Sequence, residues 1–121
     1  MASREEHLDK WLHNETLSLQ LEPGPSTDWS VTTMFYAALH LVDAYFVGQS
    51  PPVQTAGHQR RNALVQQDPS LASHYADYQE LYDRSRDARY DCLSFSAADV
   101  RSIRQETFEP FARHVSRLLG I

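Results

Sequence analysis

The stretch FYAALHLVDAYF, residues 35–46, is apolar at nearly every position, yet it carries His40 and Asp43 within one helical turn. At 3.6 residues per turn Phe35, Leu39, Val42 and Phe46 share one stripe, and Met34, Ala38, Leu41 and Tyr45 share a second beside it. A third stripe, Trp29, Thr32, Tyr36, His40, Asp43 and Val47, holds the two ionisable groups among aromatics. A helix this apolar over so wide an arc either lies at the centre of a bundle or packs on one side and forms a subunit interface on the other. The second alternative predicts a dimer seam made by Met34, Leu41 and Tyr45.

Working outward, helical periodicity persists and the few Gly and Pro residues fall mostly between periodic segments. Ser3, with Glu6 three positions on, can cap a first helix over residues 4–21, whose Leu8, Trp11, Leu12 and Leu19 share a side before Pro23-Gly24-Pro25. Thr27 or Asp28 can cap the helix that contains residues 35–46, and Gly48 ends it. A Pro-containing loop leads to a short third helix over 57–67, and Ser70 opens a fourth that runs through about Tyr90. Ser96 and Asp99 cap the last, where Val100, Ile103, Thr107, Phe111, Val115 and Leu118 make a stripe and Pro110 predicts a kink. The expected fold is therefore all-α, a single domain spanning 1–121, built as an up-and-down bundle of four to five helices.

Composition narrows the function classes. The formal charge of −5 (16 acidic, 11 basic residues) repels a phosphate backbone unless cations cluster locally. Cys92 is the single cysteine and forms no internal disulfide; next to Asp91 its thiolate is disfavoured, and the expectation is a small buried residue. The N-terminal MASREEHLDKWLHNE has no apolar signal region, and Asp28, His40 and Asp43 interrupt the longest apolar run, so the expectation is a cytoplasmic protein without a membrane span.

The fourth helix carries Leu71, Tyr75, Tyr78, Tyr82, Ser85 and Arg89 on one face, so Arg89 extends a core-like stripe and requires a carboxylate. Asp43 is the candidate, which predicts a cluster of His40, Asp43 and Arg89 near the hydroxyls of Tyr36, Tyr82 or Tyr90. Such a cluster is either a structural pair that sets bundle register or a site in which Asp43 orients His40 for acid-base work.

The order FYAALHLVDAYF, GHQRRN and RSRDARYD, over about residues 28–115, resembles the HEPN superfamily of small helical bundles. The resemblance rests on Phe35-Tyr36-Ala37-Ala38-Leu39-His40, on His58, and on Arg86-Asp87-Ala88-Arg89-Tyr90. It implies a homodimer, a ligand that is a nucleotide or RNA, and a minimal nucleotidyltransferase as partner in a toxin-antitoxin or defence setting. Ribonuclease members carry an Arg followed after roughly four to six residues by a His, and no such pair stands here. Metal-independent cleavage would need Arg89 and His40 to meet in space. Three readings stay open: a nucleotide- or RNA-binding module, a ribonuclease toxin with a His40/Asp43/Arg89 centre, and a structural docking subunit.

Two further constellations remain. His58, Arg60, Arg61 and Asn62 sit at a helix start where backbone donors favour an anion, so His58, Arg61 and Asn62, with Tyr36 and Tyr90, are the expected phosphate-binding residues. The six histidines show no intrahelical metal spacing, since His7 and His13 diverge and no Glu-x-x-His occurs; no metal and no cofactor are expected.

Overall fold

Ser3 and Glu6 form the reciprocal cap that their spacing predicts, and α1 runs Arg4–Leu21 in the computed structural model, which describes residues 1–121. The remaining elements are α2 (Thr27–Val47), α3 (His58–Gln67), α4 (Tyr75–Arg89), α5 (Ala97–Ile103) and α6 (Glu109–Leu119). A 3₁₀ turn, Ala72–His74, leads into α4, and a π-helical segment, Arg104–Phe108, makes 97–119 one continuous helix. The chain is an all-α bundle.

Contacts at both ends set the topology. Ser18 and Ser30 each donate a hydroxyl to the other's carbonyl at 2.6 Å, and His7 meets His40, so α1 is antiparallel to α2. Arg104 reaches Glu22 and Ser18 while Arg4 donates to the Leu119 carbonyl, so the last helix is antiparallel to α1. Tyr78 and Tyr82 pack on Phe35 while Trp29 and Thr32, earlier in α2, line a cleft with Ala88 and Arg89 at the end of α4, which lays α4 antiparallel to α2. The four long helices thus run up and down, with α3 as a short crossing piece between α2 and α4.

The wide apolar arc of α2 has its explanation in this arrangement, because α2 is the central rod. Met34, Phe35, Ala38, Leu41 and Val42 are all fully buried within the one chain. The dimer seam expected from Met34 and Leu41 is therefore corrected: α1, α4 and the last helix already cover that face. By length and hydropathy α2 could cross a membrane, yet 72% of its most apolar window is buried inside the bundle.

Five local expectations change. Helix α1 buries Ser18 and packs Leu8 and Trp11 on the core, leaving Leu12 and Leu19 exposed; Ser18 is one heptad after Trp11, and its small side chain lets α1 and α2 approach. Neither Thr27 nor Asp28 caps α2, whose N-cap is Ser26, and the Thr27 hydroxyl donates instead to the Phe95 carbonyl at 2.7 Å. Pro110 falls at the start of α6 directly after the π segment, where the wider turn accommodates the absent donor. That turn also shifts the buried face to Val100, Arg104, Phe108, Phe111, Val115 and Leu119, so Phe108 and Leu119 replace Thr107 and Leu118. Cys92 is exposed at φ 56°, outside the core expected to hold it.

Candidate functional site

The third stripe of α2 is a polar seam whose residues meet a different partner at each turn. At its C-terminal end Asp43 is 7% exposed, and its Oδ1 accepts from Arg61 Nε at 2.8 Å and from Thr55 Oγ1 at 2.5 Å. Its Oδ2 accepts from Arg61 Nη2 at 3.3 Å, and the same nitrogen donates to the Thr55 carbonyl at 2.9 Å. Arg61 reaches inward because α3 starts at Gly57, whose φ of +84° turns the chain back across α2 in a conformation that suits glycine.

Asp43 therefore pairs with Arg61, and the expected Asp43–Arg89 pair does not form. Arg89 bonds Tyr36, which lies seven residues before Asp43, or about 10 Å along a helix axis. Arg61 is correspondingly withdrawn from the surface anion site expected at the start of α3; Arg60 donates to the Gln54 carbonyl, and Asn62 is half-buried.

One turn up the seam, His40 Nδ1 lies 3.0 Å from His7 Nδ1, so one ring donates and the other accepts. Burial, and then the neighbouring His7, lower the pKa of His40 from its ordinary 6.5, with Asp43 opposing. His58 is lowered too, by burial and then by Arg61, Arg89 and Arg86. For both groups the unfolded chain binds the proton more tightly than the folded one. Their stabilising contribution is complete above the unfolded value and is lost as pH falls through the lower folded value. The urea midpoint should thus fall between about pH 7.5 and about pH 5, and the fall should be smaller in His40→Gln; equal pH responses of variant and wild type would contradict this assignment.

The N-terminal half of the seam faces α4 and has another character. Arg89 donates from Nη1 to the Tyr36 hydroxyl at 3.1 Å and from Nε and Nη2 to the Ser85 carbonyl and hydroxyl, both at 3.2 Å. Its guanidinium lies 5.0 Å from the Tyr90 ring centroid, and that of Arg86 lies 5.3 Å from the same ring. Neither arginine has a carboxylate within ion-pair distance, a property shared with Arg4, Arg60 and Arg117, whereas Arg61, Arg84, Arg101, Arg104 and Arg113 each have one. His58 packs 5.4 Å from Tyr82 and 6.5 Å from Tyr36 between ring centroids, and its Nδ1 is buried without a partner. A cleft of about 290 Å³ adjoins this cluster, lined by Asp28, Trp29, Thr32, Ala88, Arg89 and Tyr90. Trp29 and Tyr90 are 55% and 62% exposed, a large aromatic surface for open solvent.

The structure thus divides the expected site residues. Tyr36, His58, Arg89 and Tyr90 come together, while His40 and Asp43 stay side by side, His40 against His7 and Asp43 bonded to Arg61 and Thr55. Arg86 and Trp29 belong with the first group but stood outside the expected site. The i, i+3 spacing of Arg86 and Arg89 places both beside Tyr90, and of the three arginines of α4 only Arg84 pairs with carboxylates, those of Glu80 and Asp87. Comparison with protein-family models, with characterised proteins and with solved structures finds no match to this chain.

Proposed function

We propose that this protein is a HEPN-like module that binds a nucleotide or single-stranded RNA on the face formed by Tyr36, His58, Arg86, Arg89, Tyr90 and Trp29. The observation that carries the reading is the pair of guanidinium groups without carboxylates, Arg86 and Arg89, held over the exposed Tyr90 ring. Arg61, the buried arginine of the same seam, is compensated by Asp43, whereas the half-buried Arg89 and the exposed Arg86 are left for an anion. Phosphate oxygens match their planar donor arrays, and bases can stack on Trp29 and Tyr90. The implied homodimer and nucleotidyltransferase partner belong to the same proposal and rest on the resemblance of the three motifs.

The test is fluorescence anisotropy with a labelled single-stranded RNA, with mononucleotide as competitor, at two salt concentrations. Arg86→Ala/Arg89→Ala should weaken binding by about tenfold or more and flatten the salt dependence by roughly 0.7 in log-log slope per lost phosphate contact. Tyr90→Ala should cost about 1 kcal/mol or more of affinity, or roughly fivefold. Equal affinity of the double variant and the wild type would refute the assignment.

A second reading is favoured by His58, which stays neutral near pH 7 beside two cations and is suited to accept a proton. In that reading the arginines hold a phosphodiester while His58 accepts the proton of the attacking 2′-hydroxyl; the 2′-O–P bond forms as the P–O5′ bond breaks, and the leaving 5′-oxygen takes a proton from water, giving a 2′,3′-cyclic phosphate. It differs from the His40/Asp43/Arg89 centre, in which His40 and Asp43 are adjacent but Arg89 bonds Tyr36 instead. Cleavage of an RNA pool in chelator, lost in His58→Ala and kept in His40→Gln, would establish it.

A further inference from the structure

We infer that His7, His40 and Asp43 form a binding site for a first-row divalent transition metal, of the class represented by Zn²⁺ and Co²⁺. One ligand atom from each of the three lies within 4.8 Å of those of the other two. The two imidazole nitrogens are 3.0 Å apart, close to the separation of about 3.4 Å that tetrahedral ligands at 2.0–2.1 Å from zinc require. Only a small opening of the His7–His40 contact is needed to place an ion between them. His40 and Asp43 project from one turn of α2, and His7 faces them from the first turns of α1, so three ligands come from two rigid helices.

The carboxylate is held in the way a metal ligand is held. An ionised carboxylate offers about four lone-pair positions. Thr55 Oγ1 and Arg61 Nε use two on Oδ1, and Arg61 Nη2 uses one on Oδ2, so Oδ2 retains one. Outer partners of this kind orient a ligating carboxylate. Solvent has access from both sides: a cleft of about 210 Å³ is lined by His7 and Asp43, and another of about 530 Å³ by His7, His40 and His13. A water can complete a four-coordinate ion, and two imidazoles with one carboxylate select transition metals over Mg²⁺ or Ca²⁺. Helical spacing alone missed this set because His7 and His40 are 33 residues apart and on different helices.

The test uses the untagged full chain, treated with chelator, dialysed and titrated with Co²⁺. One equivalent should bind with the strong visible absorption of a four- or five-coordinate ion, and Zn²⁺ should displace it. His7→Ala and His40→Gln should each weaken uptake more than about tenfold, beyond the lower bound for losing an outer-shell partner. His74→Ala/His114→Ala, which removes the stacked histidine pair elsewhere on the surface, should bind as the wild type does. No saturable uptake at one equivalent, or uptake that survives both His7→Ala and His40→Gln, overturns the site. Circular dichroism checks folding, and if His40→Gln fails to fold, His7→Ala at the half-buried start of α1 decides the outcome alone.

Discussion

Replacing Leu41 with glutamate is expected to leave no cooperatively folded protein. Leu41 has no exposed surface and lies midway along the central helix, so the substitution loses roughly 1.5–3 kcal/mol of apolar burial. It also places a carboxyl group inside the apolar core, at a further cost of several kcal/mol, whether as a desolvated charge or as a proton taken up from solvent. Together these approach the whole stability of a typical domain, about 5–15 kcal/mol. The observable is loss of the cooperative thermal transition and of near-ultraviolet dichroism. Leu12→Glu is the control: Leu12 is 52% exposed on α1, and the change should move stability by no more than about 0.5 kcal/mol. A Leu41→Glu protein that melts like wild type but loses self-association would restore the dimer seam that the central position of α2 argues against.

The second large effect is expected at Arg61. Arg61→Leu removes the partner of a carboxylate that is itself nearly inaccessible, leaving Asp43 with Thr55 alone. Breaking a buried pair from one side costs about 3–5 kcal/mol. For a chain of this length about 4 °C of melting temperature corresponds to each kcal/mol, so the midpoint should drop by roughly 12–20 °C. Arg61→Leu/Asp43→Leu should recover much of that loss, because no unpaired charge then remains inside. Arg89→Ala should cost about 1 kcal/mol, since Arg89 is half-buried and bonded only to neutral oxygens. An Arg89→Ala protein destabilised as much as Arg61→Leu would mean that the two arginines share one structural role. The contrast separates the part of the seam that holds the fold from the part offered to a ligand.

The seam also shows how unevenly the structure was legible from residues. Periodicity and capping are local, so both ends of α1, the C-terminal end of α2, the Ser96–Asp99 cap and the placement of Trp29, Thr32, Tyr36, His40, Asp43 and Val47 on one stripe were readable directly. The Tyr78, Ser85 and Arg89 face of α4 was readable for the same reason. Which residue on one helix meets which on another was not. The stripe on α4 pointed to Arg89 as the partner of Asp43, whereas the pairing with Arg61 depends on how far the loop before Gly57 returns α3 across α2. His7 had no signal near it because the contact with His40 is made only when α1 folds back antiparallel.

Helical propensity and hydrophobic period act over a few residues and are contained in the order of side chains, which is why an all-α bundle follows from the chain alone, whereas the choice of the centre over a subunit interface for α2 needed the packed structure. Pairing of charges across helices depends on crossing geometry and axial offset, quantities set by packing of the whole core. An offset of about 10 Å along α2, set by that packing, gave Asp43 to Arg61 and left Arg89 beside Tyr36 and Tyr90 without a carboxylate.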